Sequence, residues 1–175
     1  RVSAEGSSVS PRARGRRFPT MAEPIPLSLV VITGDAASDI AACIASASFA
    51  VEAVVVDSGS RDDTVDVARA AAARVVHREF TGFGAQKNHA VGEARHDWVL
   101  CLDADERVSP QLADAIRALF AGGPPQAPAY AMARRNRFLG RWLAHGEGYP
   151  DWNLRLFDRR RARWSDDPVH EHVVA

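Results

Sequence analysis

From Leu27 onward the chain alternates short, β-branched apolar runs with stretches whose apolar residues recur every three or four positions. Leu27-Ser28-Leu29-Val30-Val31-Ile32 is too short for a helix of ordinary length and reads as a buried strand. Ile40, Cys43, Ile44 and Ala47 then fall at i, i+3, i+4 and i+7, the spacing of an amphipathic helix. Ala53-Val54-Val55-Val56-Asp57 is a second strand that ends in a carboxylate. Ser60-Arg61-Asp62-Asp63 has the Ser-x-x-Asp form of a capping box and predicts a helix running to Ala73. Arg74 to His77 is a third strand, and Gln86 to Arg95 a helix with Ala90, Val91 and Ala94 on its inner face. Trp98-Val99-Leu100-Cys101-Leu102 is the fourth strand, and it stops in Asp103-Ala104-Asp105-Glu106. Ser109 and Pro110 suit the cap and first position of a helix whose Leu112, Ile116 and Leu119 face the core, stopped by Gly122-Gly123-Pro124-Pro125.

Past Pro128 this rhythm fades. Tyr130 to Arg134 reads as one more strand, followed by a loop-rich segment dense in arginines and aromatics and then the cluster Asp166-Asp167-Pro168-Val169-His170-Glu171-His172. At the other end, residues 1–20 are rich in Ser, Gly, Pro and Arg without apolar periodicity and predict a disordered leader. The expected domain therefore covers 21–175, with a nucleotide-binding part over about 27–123 and an acceptor-side part over about 124–175 that breaks off without a stop signal, as a truncated domain would.

Strands alternating with helices predict an α/β, Rossmann-like fold: a mainly parallel sheet with helices on both faces. Ligands of such sheets lie at the carboxyl ends of the strands. Asp57 and the Asp103/Asp105 pair share that rim. An isolated Asp-x-Asp equally fits a polar strand exit, but two acidic strand ends on one rim point to a site. Hard cations such as Mg²⁺ and Mn²⁺ take carboxylate oxygens and share their remaining positions with substrate phosphates.

Composition narrows the classes. The 175 residues are 46% hydrophobic and 25% charged with zero net charge, which suits a globular domain and argues against a nucleic-acid binder. Both cysteines, Cys43 and Cys101, sit in apolar patterns and read as reduced core thiols. No apolar run approaches the roughly 20 residues that span a bilayer. A cytoplasmic protein, at most peripheral to a membrane, is expected.

Six stretches, taken in order, resemble the inverting, metal-dependent glycosyltransferases of family 2, and most closely the branch that builds bacterial lipopolysaccharide cores. They are Val54 to Thr64, Gly82-Phe83-Gly84-Ala85-Gln86-Lys87-Asn88, Leu102 to Glu106, Arg135 to Gly140, Tyr149 to Phe157, and Asp167-Pro168-Val169-His170-Glu171. The resemblance implies a GT-A fold with the Asp-x-Asp at the end of the fourth strand. It also implies a divalent cation, Mg²⁺ or Mn²⁺, a nucleotide-sugar donor of the UDP-sugar type, and a glycolipid or oligosaccharide acceptor at the inner membrane face. Thr33 and Asp57 would then contact the nucleotide, and Lys87, Asn88 and Asp103 the ribose, diphosphate or sugar. Asp103, Asp105 and His170 would hold the metal, with Asp105 the more direct ligand. Asp151 stands where the family places its general base, and Glu171 is its rival. One departure bears on the nucleotide pocket: members often carry Thr-x-Asn-Glu after the first strand, where this chain has Thr33-Gly34-Asp35-Ala36, and Ala36 has no polar group.

Other readings follow from the same residues. Asp-x-Asp also serves haloacid-dehalogenase-like phosphotransferases with Asp103 as nucleophile, although that class carries the pair on its first strand. A non-catalytic sugar-nucleotide-binding module fits Ala36 and the early end. Asp63 is assigned to the capping box alone, and His77, His89, His96, His145 and His172 share no metal-ligand spacing. The arginines from Arg134 to Arg163 suit either a solvated face or an anionic acceptor.

Overall fold

The computed structural model describes residues 23–138, 141–142, 150–167 and 171–175. The expected leader, His145 and His170 lie outside them. Four strands, β1 (Ile25–Thr33), β2 (Ala50–Asp57), β3 (Arg74–His77) and β4 (Trp98–Asp103), alternate with helices α1 (Ile40–Ser46), α2 (Thr64–Ala70), α3 (Phe83–Glu93) and α4 (Pro110–Phe120). Then come β5 (Ala129–Arg134), a short hairpin of β6 (Arg137–Phe138) and β7 (Arg141–Trp142), β8 (Asp151–Asp158), and a second small ladder of β9 (Arg163–Trp164) with β10 (Val173–Val174). The main sheet has the order β3-β2-β1-β4-β8-β5. Its first four strands are parallel, and β8 runs antiparallel to both β4 and β5.

The central strands are apolar on both sides because both sides are covered. One core takes Leu27, Leu29 and Val31 of β1 with Ile40 and Cys43 of α1, Ala68 of α2 and Ile116 and Phe120 of α4. The other takes Val30, Val56, Val99 and Phe157 with Ala90 and Val91 of α3 and Trp164 of β9. Helices thus lie on both faces, as the alternating pattern requires.

Three local expectations change. Ser60 and Asp63 form no capping box: Asp63 occupies the N-cap of α2 without a side-chain bond, while the Ser60 hydroxyl donates to Asp57. Asp62 takes over that work, accepting from the Thr64 N–H at 3.0 Å and from the Thr64 hydroxyl. Helix α2 stops at Ala70, followed by Ala72 at φ +62°. The segment expected as loop contains β8, an eight-residue strand inserted between β4 and the edge strand β5.

Candidate active site

Strand register builds the rim. Thr33 pairs with Asp57, and Ile32 with Asp103, so three parallel strands deliver their last polar residues side by side. Two loops then extend the wall. The Thr33–Ala36 loop is tied to the β2–α2 loop by its own backbone: the N–H groups of Asp35, Ala36 and Ala37 donate to Ser60 Oγ, Thr64 Oγ1 and Asp62 Oδ2 at 2.9, 2.7 and 3.0 Å. Asp35, at φ +50°, accepts from the Arg61 N–H at 2.7 Å. A polar side chain that bonds its neighbours' backbone tolerates that left-handed conformation. Asp57, expected at the nucleotide, is buried and accepts from the Gly59 and Ser60 N–H groups at 2.9 and 3.1 Å. Its carboxylate holds the loop.

A cavity of about 500 Å³ opens on this rim, with Thr33, Gly34, Asp35 and Ala36 on its wall together with Asp103, Ala104 and Asp105 and the rings of Phe80 and Phe83. Thr33 is buried, and its hydroxyl oxygen has no hydrogen-bond partner among the described residues. Asp105 is exposed, and no described cation pairs with it. Asp103 is held on both oxygens, by Lys87 Nζ at 3.2 Å and by an Arg155 NH2 group at 2.8 Å. Burial alone would push Asp103 up, but Arg155 and then Lys87 outweigh it and keep the carboxyl below its ordinary value.

These ion pairs continue into a second, smaller cavity lined by Lys87, Asp103, Arg134, Asn153, Arg155, Trp164 and Glu171. Arg155 also reaches Glu106 Oε1 at 2.8 Å, and Glu106 accepts from the Asp103 N–H through its other oxygen at 3.0 Å. Lys87, although a lysine, is 5% exposed; it pairs with Glu171 at 2.8 Å and lies over the Trp164 ring at 4.5 Å. Burial is the largest influence and raises Glu171, but the hydrogen bond and charge of Lys87 together with a backbone N–H outweigh it and the carboxyl sits low. Asp151 is held low chiefly by its hydrogen bond from Arg134, at 2.9 Å, with Asn136 and Asn153 also donating to it.

The structure therefore brings Asp103, Lys87 and Glu171 together and sets Asp151 at the far end of the same chain of charges, joined through Arg134 and Glu106. Asn88, expected beside the donor, is turned elsewhere: its amide donates to the Trp164 carbonyl and accepts from the Trp164 N–H, both at 3.0 Å. It fixes the strand that carries the Trp164 ring. Four of the arginines read as an anionic-acceptor face are likewise engaged with carboxylates of the chain: Arg134 with Asp151, Arg155 with Asp103, Arg160 with Asp97 and Asp158, Arg163 with Asp166. The sequence assigned no role in the site to Phe80, Phe83 or Trp164; the Phe pair on either side of Thr81-Gly82 was the available signal.

A divalent cation shared with a diphosphate fits this donor set. Such ions commonly use one or two protein carboxylates and complete their shell with phosphate oxygens and water. Asp105 offers a carboxylate to the cavity, with Asp103 beside it. No cluster of three or more His, Cys, Asp or Glu that could hold a metal occurs among the described residues. The strand that carries Asp103 is the fourth, not the first as the phosphotransferase reading requires.

The chain is similar to several known proteins. An uncharacterized glycosyltransferase of Rickettsia felis is 41% identical over 96 residues, covering 54% of this chain and 34% of its own length. The lipopolysaccharide core biosynthesis glycosyltransferase LpsC of Rhizobium meliloti is 28% identical over 156 residues, 86% of this chain and 57% of its own. Glucosyl-3-phosphoglycerate synthase from Mycobacterium tuberculosis, solved with Mn²⁺, UDP and glucosyl-3-phosphoglycerate, aligns at TM-score 0.46 and 26% identity over 55% of this chain and 40% of its own. The chain thus spans about a third of the length of the Rickettsia relative it matches. The glycosyl transferase family 2 profile covers residues 28–173 and so takes in every strand from β2 to β9 together with both cavities, and the chain belongs to that family.

Proposed function

We propose that the chain carries the donor side, and part of the acceptor side, of an inverting glycosyltransferase that moves a sugar from a nucleotide sugar of the UDP-sugar type to a lipopolysaccharide core or related glycolipid. The observation that carries this reading is an Asp105 carboxylate presented to the cavity beside Asp103, at the strand ends of a family 2 chain. The acceptor class rests on the likeness to LpsC across most of the chain, and such an acceptor would bring the protein to the cytoplasmic face of the inner membrane. Among the described residues no helix is long and apolar enough to cross a membrane.

A cation held by Asp105, with Asp103 and His170 as further donors, would supply Lewis-acid stabilisation of the charge that builds on the departing diphosphate. The chain's own groups do the rest. Arg155 and Lys87 keep Asp103 ionised and fixed, and the Lys87 ammonium adds positive charge beside the leaving group. The acceptor hydroxyl needs a base within hydrogen-bond reach. Asp151 is the candidate base, with Glu171 the alternative; attack opposite the leaving group inverts the anomeric centre.

The test is a panel of nucleotide sugars with Mn²⁺ or Mg²⁺, reading nucleotide binding and release on the chain and transfer to core oligosaccharide. Asp105→Ala should weaken metal-dependent UDP binding at least ten-fold, and binding indifferent to both Asp105→Ala and Asp103→Ala would defeat the metal assignment. Asp151→Asn should abolish transfer while leaving UDP binding intact. If it does not, and Glu171→Gln does, the base is Glu171.

A further inference from the structure

On the nucleotide side of the large cavity most polar groups are already in use, the buried Thr33 hydroxyl excepted. The N–H groups of Asp35, Ala36 and Ala37 donate within the chain, the Asp35 and Asp57 carboxylates accept from backbone, and Ala36 brings no polar atom. Ser58 Oγ accepts from Gln86 at 3.3 Å. On the same wall stand two large aromatic rings that packing does not explain. Phe80 and Phe83 are 50% and 52% exposed, their centroids 5.0 Å apart and their planes at 72°. An edge-to-face pair leaves each ring a face that its partner does not cover. The turn between them is made by Gly82 at φ +117°, where a Cβ would meet nothing within 4 Å, so that glycine is required by the backbone conformation that brings the rings together and not by crowding.

We infer that Phe80 and Phe83 are the stacking wall for the donor's nucleobase, and that this chain grips the base by its flat face. The inference rests on the nucleotide-sugar reading of the cavity. A half-exposed aromatic pair costs solvation until a flat ring covers it, and a nucleobase tethered to a diphosphate at Asp105 is the ligand that the rest of the cavity calls for. Stacking tolerates any base because each has a π-face, so the pair sets affinity for the base more than choice among bases.

The experiment measures binding of UDP and of inorganic pyrophosphate, each with Mn²⁺, to the full 175-residue chain and its variants by titration calorimetry. Phe83→Ala and Phe80→Ala should each weaken UDP roughly ten-fold, the loss expected for one base–aromatic stack, and leave pyrophosphate unchanged. Phe83→Trp should retain UDP affinity. Phe83→Leu, which keeps apolar bulk without a π-face, should behave like Phe83→Ala and serves if the alanine variant folds poorly. UDP affinity unchanged in all of these, or an equal loss for UDP and pyrophosphate, overturns the stacking role while leaving the site reading in place. A wild-type chain that binds neither ligand overturns the site reading itself, and the inference with it.

Discussion

Arg155 holds two carboxylates from a buried position, one NH2 group lying 2.8 Å from both Asp103 Oδ2 and Glu106 Oε1. Removing it leaves two acidic side chains without their shared cation. Breaking a buried pair costs about 3–5 kcal/mol; because the Asp103 side chain is 34% exposed and solvent screens the pair, Arg155→Ala should fall below that range, at about 2–3 kcal/mol by urea unfolding. Arg155→Lys should recover part of it. The same contacts make stability pH-dependent. The native Asp103 carboxyl sits below its unfolded value, so its contribution is complete above pH ~4 and is lost as pH falls through the depressed native value. In Asp103→Asn that slice of the acid slope should disappear, read as a flatter dependence of the unfolding free energy on pH below about 4. At this scale the carboxylates were legible in the sequence, since acids at strand ends mark a rim. Their cationic partners were not: Lys87 and Arg155 lie 16 and 52 positions from Asp103, and nothing local pairs them.

β8 enters between β4 and β5 and brings Arg155 with it. Tyr130 pairs with Leu156 but Ala131 with Leu154, so Arg155 is the extra residue of a bulge. A bulge bends the strand and re-aims a side chain, and here it coincides with the guanidinium that reaches Asp103. The strand's own signature was present in Asp151-Trp152-Asn153-Leu154-Arg155-Leu156, an alternation of polar and apolar residues. The surrounding arginines and aromatics obscured it. Helix α3 shows a different constraint. A Cβ on Gly84 would lie 2.4 Å from the Ser165 carbonyl, a backbone atom that cannot swing away, whereas a Cβ on Gly92 would meet nothing. Gly84→Ala should therefore cost about 1–3 kcal/mol, and Gly92→Ala should be neutral or gain up to about 1 kcal/mol from helix propensity. Equal melting temperatures for the two variants would show that α3 does not rest on β9 as closely as Gly84 requires.

Across the whole molecule, the two cores place one thiol each behind the site. Burial pushes both Cys43 and Cys101 up to about 12, and the thiolate is the reactive form. Neither should react with a disulfide reagent at pH 8 in the native chain, and both should become reactive together at the urea midpoint; early labelling of either one would reveal local opening of its core. The sequence by itself determined the order of strands and helices through α4, the two-sided burial of the sheet and the acidic rim, because periodicity and burial are local and the parallel βαβ rule places strand ends together. Family membership was legible too, because its motifs are short and ordered along the chain. Only the tertiary structure decided where β8 inserts, which cations hold Asp103, that Asp57 and Asn88 face inward to hold loop and strand, and that Phe80 and Phe83 meet on the cavity. Most of these are contacts between segments far apart in sequence, fixed by packing and strand register, and the remainder depend on how a turn aims the side chain.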